Sequence, residues 1–412
     1  MQVLMLMDEC PWPPNQGDKI RNWGILRALS QFARVDLVIM QPITEEARDR
    51  LKQYCATVES FFEKHTILKY MYGILNLRAP VTSAIRRSSR TRKKLNAFVH
   101  SKYIDGQHYD VLWGAQLKTA WYVHHLQTNP QLSQTKFVLD LCDALSLYRR
   151  RMAEQHSGSF WKWLNRFEAI RLARYEGRLI TEMDLSFVAS AIDRDSLRLP
   201  HTESKIAVLP NGVDGPSGEE SLLRKELNRN DQSKKTILFV GNMNYPPNRD
   251  AIEWFGKAIW PIVRSKRREM NLNIVGSGAP EWLKKEPNVS VKGYVPNLEE
   301  EYECSDVVIS PVRFGAGTRL KIIEAMMNGK PIVSTTLGAE GIGAEHGKHM
   351  LFADTPEAFA KAIMAYVDDE EYAYRCGNDA RESAMNNFSW EIIGLNIKIK
   401  LDELQNIKRA VR

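Results

Sequence analysis

Two α/β domains, each a doubly wound parallel sheet and together facing a cleft, are the architecture this sequence predicts. Three observations carry the expectation. Short, wholly apolar runs such as Val3–Met7 and Val307–Ile309 suit strands covered on both faces. They alternate with stretches whose apolar residues recur at helical spacing. The alternation occurs twice, interrupted by one polar, charged stretch from Gly215 to Lys235. The expected organisation is a first domain at 1–209, a linker at 210–235, a second domain at 236–388, and a helix at 389–412 that crosses back onto the first domain.

Length and composition allow this. A chain of 412 residues supports two full cores, and 43% hydrophobic with 26% charged residues is ordinary for globular proteins. No apolar run approaches the ~18 residues of a membrane span. MQVLMLMDEC meets its acids too early for a signal peptide and reads as a buried strand. The five cysteines are scattered, odd in number and without metal-ligand spacing, which predicts reduced thiols in a cytoplasmic protein. The net charge of +7 is compatible with anionic lipid heads, nucleoside diphosphates or nucleic acid.

In chain order, Val3–Met7 is the first strand and CPWPPNQGDK the loop after it. A helix starts near Asp18, and Val35–Met40 is the second strand. No G-x-G-x-x-G is present and no ribose-binding acid follows strand two, so the dinucleotide fingerprint is missing. Residues 44–105 read as helical and polar. Their cluster of Arg86, Arg87, Arg90, Arg92, Lys93 and Lys94 is either a solvated face or a platform for anionic lipid or a diphosphate-bearing acceptor. Tyr109–Trp113 and Phe137–Leu141 are further strands. Asp140 and Asp143 end the second of these, where parallel sheets bind ligands; a cap for the next helix is the plainer role for Asp143. His156–Glu176 sets Phe160, Trp161, Trp163 and Phe167 among Lys162, Arg166 and Arg174, which suits an interfacial helix or a core helix equally. Asp193 and Asp195 read as helix-start acids.

The second series opens with the strand Thr236–Val240, ended by Gly241-Asn242. MNYPPNRD follows as a turn-rich loop, then a helix over Ala251–Ile262 and a strand at Leu272–Val275. Val289–Val291 leads to Gly293-Tyr294. The most informative stretch is SPVRFGAGTRLKIIEAMMNGKP, from Ser310 to Pro331. An apolar strand ends at Pro311. Gly315 and Gly317 follow, then a helix carrying Leu320, Ile323 and Met327 on one face and stopped by Asn328-Gly329. Strand, glycine loop and helix N-terminus form an anion site, because bare amides approach the anion and the helix dipole attracts it. Arg319 and Lys321 oppose that dipole, so they are poor for helix stability alone. A bound phosphate or diphosphate would explain them; an ordinary βα turn with solvated charges is the alternative. Thr355-Pro356-Glu357 starts another helix, and Trp390–Ile407 is the last.

Taken together, Pro210-Asn211-Gly212-Val213-Asp214, Phe239-Val240-Gly241, Ile274-Val275-Gly276-Ser277-Gly278, Gly293-Tyr294-Val295, Ser305-Asp306-Val307 and Glu324-Ala325-Met326 through Gly329-Lys330-Pro331-Ile332-Val333 resemble a glycosyltransferase of the GT-B fold, family 4 type. That fold pairs two Rossmann-like domains. The loops Pro13–Lys19 and Tyr245–Asn248 with Gly315–Lys321 are similar to a subgroup of bacterial exopolysaccharide-associated sugar transferases. Two departures stand out. The family's first glutamate falls at Ala316, and its Arg and Lys after the first strand of the second domain fall near Asn242 and Asn248.

The resemblance implies metal-independent transfer of a sugar, with retention, from a nucleoside-diphosphate sugar to a glycan or lipid-linked acceptor, with no cofactor. It assigns donor binding to Gly17, Gly241, Asn242, Gly293, Tyr294, Gly315, Gly317, Thr318, Leu320 and Glu324, the last through the ribose. Arg319 and Lys321 take the leaving diphosphate and Asp143 the acceptor. The expected site is cytoplasmic, at the inner face of the plasma membrane, with peripheral contact to anionic lipid and no nucleic-acid partner. A non-catalytic nucleotide-sugar binder and a nucleotide-sugar epimerase of the same architecture are the alternatives.

Overall fold

A computed structural model describes residues 1–62, 80–155, 158–197, 200–215, 235–315 and 317–410. The chain forms two compact units, Met1–Gly212 with Trp390–Arg412, and Val213–Ser389. Most of the expected linker, residues 216–234, lies outside the described residues, as does Ala316.

The first unit is a seven-stranded sheet in the order β3-β2-β1-β4-β5-β6-β7. Its strands are β1 (Gln2–Met7), β2 (Arg34–Ile39), β3 (Thr57–Ser60), β4 (Val111–Ala115), β5 (Lys136–Cys142), β6 (Leu185–Val188) and β7 (Ile206–Val208). Every ladder is parallel, with Val3 opposite both Val35 and Val111. The strand interiors are buried on both faces, as continuous apolar runs require. Strand β3 corrects the all-helical expectation for 44–105. Its sequence TVES has one apolar residue, so it carries no strand signature of its own and pairs only because β2 lies beside it.

The second unit is a six-stranded parallel sheet in the order β10-β9-β8-β11-β12-β13. It comprises β8 (Thr236–Val240), β9 (Asn271–Val275), β10 (Val289–Lys292), β11 (Val307–Ser310), β12 (Ile332–Ser334) and β13 (Leu351–Phe352). The loop expected at MNYPPNRD is shorter than predicted. A helix starts at Pro246, because prolines fit the first turn, whose N–H groups have no intrahelical partner. Thr355 caps the helix Pro356–Asp368 by accepting from the Ala358 amide at 3.3 Å.

The last helix, Trp390–Ala410, joins the core of the first unit through Trp390, Ile393, Ile397 and Leu401. The Trp390 ring lies so close to Gly24 and Gly212 that a Cβ there would come within 1.9 and 2.6 Å of it. Both glycines are needed for this close approach.

Candidate functional site

In the second unit, strand order reverses direction between β8 and β11. At such a switch point the loops leaving the carboxyl ends diverge and leave room for a ligand. Gly241 and Asn242 leave β8 there; Gly315 and Gly317, at φ of +131° and +74°, follow β11. Neighbouring Gly276, at φ +127°, would bring a Cβ to 2.0 Å from the Gly241 carbonyl. The glycine pattern therefore reflects close packing of bare backbone at this one edge.

The helix Leu320–Met327 begins after the glycine loop with Arg319 as its N-cap residue. Arg319 thus precedes the first turn in which it was expected, and Lys321 occupies it. Arg319 curls back: Nη1 donates to the Gly317 carbonyl at 2.9 Å, and Nη2 lies 2.8 Å from where a Gly315 Cβ would be. Lys321 is buried at 9% exposure. Its Nζ donates to Asn248 Oδ1 at 2.8 Å, sits 4.4 Å from the Phe239 ring centroid, and borders Gly241. Burial first, then the charge of Arg319, pushes its pKa down to about 7. The helix thus brings the Lys321 amine to Asn248, one of the two asparagines singled out on the loop after β8.

One turn on, the Glu324 carboxylate accepts from the Tyr302 hydroxyl at 3.0 Å. Burial raises its pKa against the hydrogen bond from Tyr302 and the charge of Lys321. Thr318 is buried and Leu320 half-buried in the same loop. Gly293 and Tyr294 follow β10 at the sheet's carboxyl edge, with the Tyr294 ring 69% exposed and available for stacking. Asn242 Oδ1 accepts from the Asn244 amide at 3.0 Å and its carbonyl from Asn248 Nδ2 at 3.1 Å, so this loop is held by its own side chains.

The first unit reverses between β1 and β4. Gly17 starts the helix Gly17–Ser30 that follows the β1 loop. Asp8 and Glu9 follow β1. Lys118 Nζ lies 2.9 Å from Glu9 Oε1 and 3.7 Å from Asp8 Oδ2, and Arg86 Nη2 lies 3.3 Å from Asp8 Oδ2. Burial pulls the Glu9 carboxyl up, but the bond from Lys118 and the charges of Lys118, Arg86 and Lys19 hold it below the usual range. Gln116 after β4 and Cys142 at the end of β5 both have positive φ, +65° and +64°. Such strain in non-glycine residues is rare and clusters at functional sites. Lys118, Glu9 and Gln116 went unnoticed in the sequence, since isolated polar residues after strands give no local signal.

Two readings change here. Asp140 faces Arg21, not a ligand: Nε and Nη2 donate to its two oxygens at 2.8 and 2.7 Å, both residues being buried. Arg21 Nη1 also donates to the Leu209 carbonyl and to Asn211 Oδ1, each at 2.9 Å, fixing the Pro210-Asn211 turn. At the start of the helix Leu145–Gln155, carboxylates from later in the chain meet the first amides. Asp193 accepts from the Ala144 amide at 3.0 Å and Glu176 from the Leu145 amide at 2.8 Å. Asp143 is half-buried beside Cys142 at the carboxyl edge of β5. The basic cluster of 86–94 is also divided: Arg86 turns to Asp8, while Arg87 and Arg92 lie over the Trp121 ring. Among the described residues no group of three or more His, Cys, Asp or Glu could hold a metal ion, and no helix is long and apolar enough to cross a membrane.

Residues 234–369 match the family model described as glycosyl transferases group 1. Over 405 residues the chain is 25% identical to an uncharacterized 44.6 kDa protein in the cps region of Klebsiella pneumoniae, covering 94% of this chain and 95% of the relative. Its fold is similar to that of sucrose-phosphate synthase from Thermosynechococcus elongatus, with TM-score 0.70 at 17% identity over 98% of this chain and 99% of the other. Anabaena HepE in complex with UDP and glucose gives a TM-score of 0.62 at 15% identity over 98% and 99%. The match to the glycosyl transferases group 1 model falls within the unit that gathers the glycine loop and its cations, and the chain as a whole has the two-domain GT-B fold of glycosyltransferases.

Proposed function

We propose that this protein transfers a sugar, with retention of anomeric configuration, from a nucleoside-diphosphate sugar to a glycan or lipid-linked acceptor in surface-polysaccharide synthesis. One observation carries the reading: Lys321, a buried amine with no ion pair among the described residues, is held against bare backbone at the switch point beside Arg319. A buried cation without a counterion is costly unless a ligand supplies the anion. The diphosphate is that anion. Arg319 is poised to turn its fork outward onto one phosphate while Lys321 meets the other.

The Gly315–Thr318 amides and the helix N-terminus add fixed dipoles where charge grows as the anomeric C–O bond breaks. The acceptor oxygen bonds to the same face of the anomeric carbon, and its proton passes to the departing phosphate oxygen. No strong protein base and no metal are required by this scheme. Glu324 accepts ribose hydroxyls, Tyr294 borders the base, and Asp143 orients the acceptor. The Klebsiella relative in the cps region supports the polysaccharide setting. HepE, seen with UDP and glucose, gives a first donor to test.

The test is a panel of labelled nucleoside-diphosphate sugars offered with a lipid extract and with soluble glycans, the product linkage being read by NMR. Transfer with an unchanged anomeric configuration is expected from at least one donor. An inverted product, or binding without transfer or hydrolysis of any donor, contradicts the reading.

A further inference from the structure

The helix Ser159–Glu182 is longer than the sheet it flanks. Asp184, just past its end, accepts from the Phe137 amide at 2.8 Å, at the start of β5. Glu176 accepts from Leu145 and Ser146, just past the end of β5. Residues 176–184 therefore span the height of the sheet. The 17 residues before Glu176 make about 25 Å of helix leading away from the carboxyl edge, paired with Leu145–Gln155 as a hairpin, and Glu168 and Tyr175 in it bond Val81 and Ser83.

This projecting end is apolar on the outside. Phe160, Trp161, Trp163, Leu164 and Ile170 are exposed, and with Phe167 most of them fall on one stripe at helical spacing. They are five of the fourteen exposed large hydrophobic residues among the described residues, so the exposure is concentrated here. Trp163 stacks flat on Phe167 at 5.6 Å, which makes a rigid aromatic plate. The same hairpin, from Arg149 to Arg174, holds seven Arg and Lys residues against two acids, Glu154 and Glu168. Glu168 is already engaged by Arg171 at 2.9 Å. Arg150 and Arg166 are exposed.

The charge selects the occupant. A second copy docked through this stripe would bring the same cations together. An anionic lipid surface accepts both features, since Trp and Phe settle at headgroup depth and Arg and Lys meet phosphate. We propose that this hairpin seats the first unit on an anionic bilayer, holding the edge that bears Glu9, Lys118 and Asp143 above the lipid surface. This places an acceptor sugar carried on a lipid at that edge, and it rests on the lipid-linked branch of the functional reading.

Cosedimentation of the full chain with phosphatidylcholine vesicles, with and without phosphatidylglycerol, tests it. Retention is expected only on the anionic vesicles, weakened by added salt. The double substitution Trp161→Ser with Trp163→Ser, and separately Arg150→Gln with Arg166→Gln, each lower retention about tenfold or more. Thermal stabilisation by nucleoside diphosphates, read on the same samples, stays at the wild-type level and shows that the variants are folded. Equal retention on neutral vesicles overturns the proposal. So does wild-type retention in both variants, or a dimer dispersed by the tryptophan changes. A wild-type protein that sediments with lipid but is not stabilised by any nucleotide strikes the functional reading alone.

Discussion

Lys321 concentrates the argument at the scale of one residue. In the unfolded chain its amine titrates near the ordinary value of 10.5, and in the folded protein near 7. Between those values the unfolded state binds the proton and the folded state does not, so this group makes stability rise with pH across that window. At pH 7 and below, the cost of burying the ammonium is present in full. Lys321→Met should therefore stabilise the ligand-free protein by about 1–4 kcal/mol near pH 6, with the gain shrinking from pH 7 to 10, as urea midpoints will show. The same variant should lose most activity. In kinetics, Lys321→Ala and Arg319→Ala should each lower kcat by about 10²-fold without unfolding the protein. These two cations were legible in the sequence because they sit where a helix disfavours positive charge. Arg21 was not, because its partner Asp140 lies 119 positions away and nothing local marks the pair.

Among the elements, the start of the helix Leu145–Gln155 depends on the carboxylates of Asp193 and Glu176, and the end of β5 on the guanidinium of Arg21. Arg21 and Asp140 form a buried bidentate pair that also ties down Leu209 and Asn211. Asp140→Ala leaves the guanidinium without its counter-charge and should cost about 3–5 kcal/mol in denaturant unfolding. The double change Arg21→Met with Asp140→Leu should recover much of that loss. If it is as unstable as the single variant, the pair does more than balance charge. The parallel strands and the glycine loop were readable because burial on both faces and positive φ leave compositional marks. Strand β3 and the helix start at Pro246 were not: the first is specified by its neighbour, and prolines signal a turn and a helix start alike.

For the whole molecule, the chain returns to its first unit through Trp390, and two glycines make way for the ring. Trp390→Ala should cost the first unit about 3–5 kcal/mol, with nucleoside-diphosphate binding by the second unit retained. Gly24→Ala should destabilise it as well, since no rotamer relieves a Cβ inside the indole. The amphipathic pattern of 390–407 announced a helix, and its partner surface followed only from the expectation of two linked domains. In the proposed function, the glycine loop and two cations at the switch point of the second unit receive a diphosphate. Calorimetric titration of a nucleoside diphosphate into the wild type, Arg319→Ala and Lys321→Ala measures this most directly. The account predicts one site per chain, an affinity about tenfold or more weaker in each variant, and weaker wild-type binding as pH rises above 7. Equal affinity in all three proteins, unchanged by pH, would contradict it.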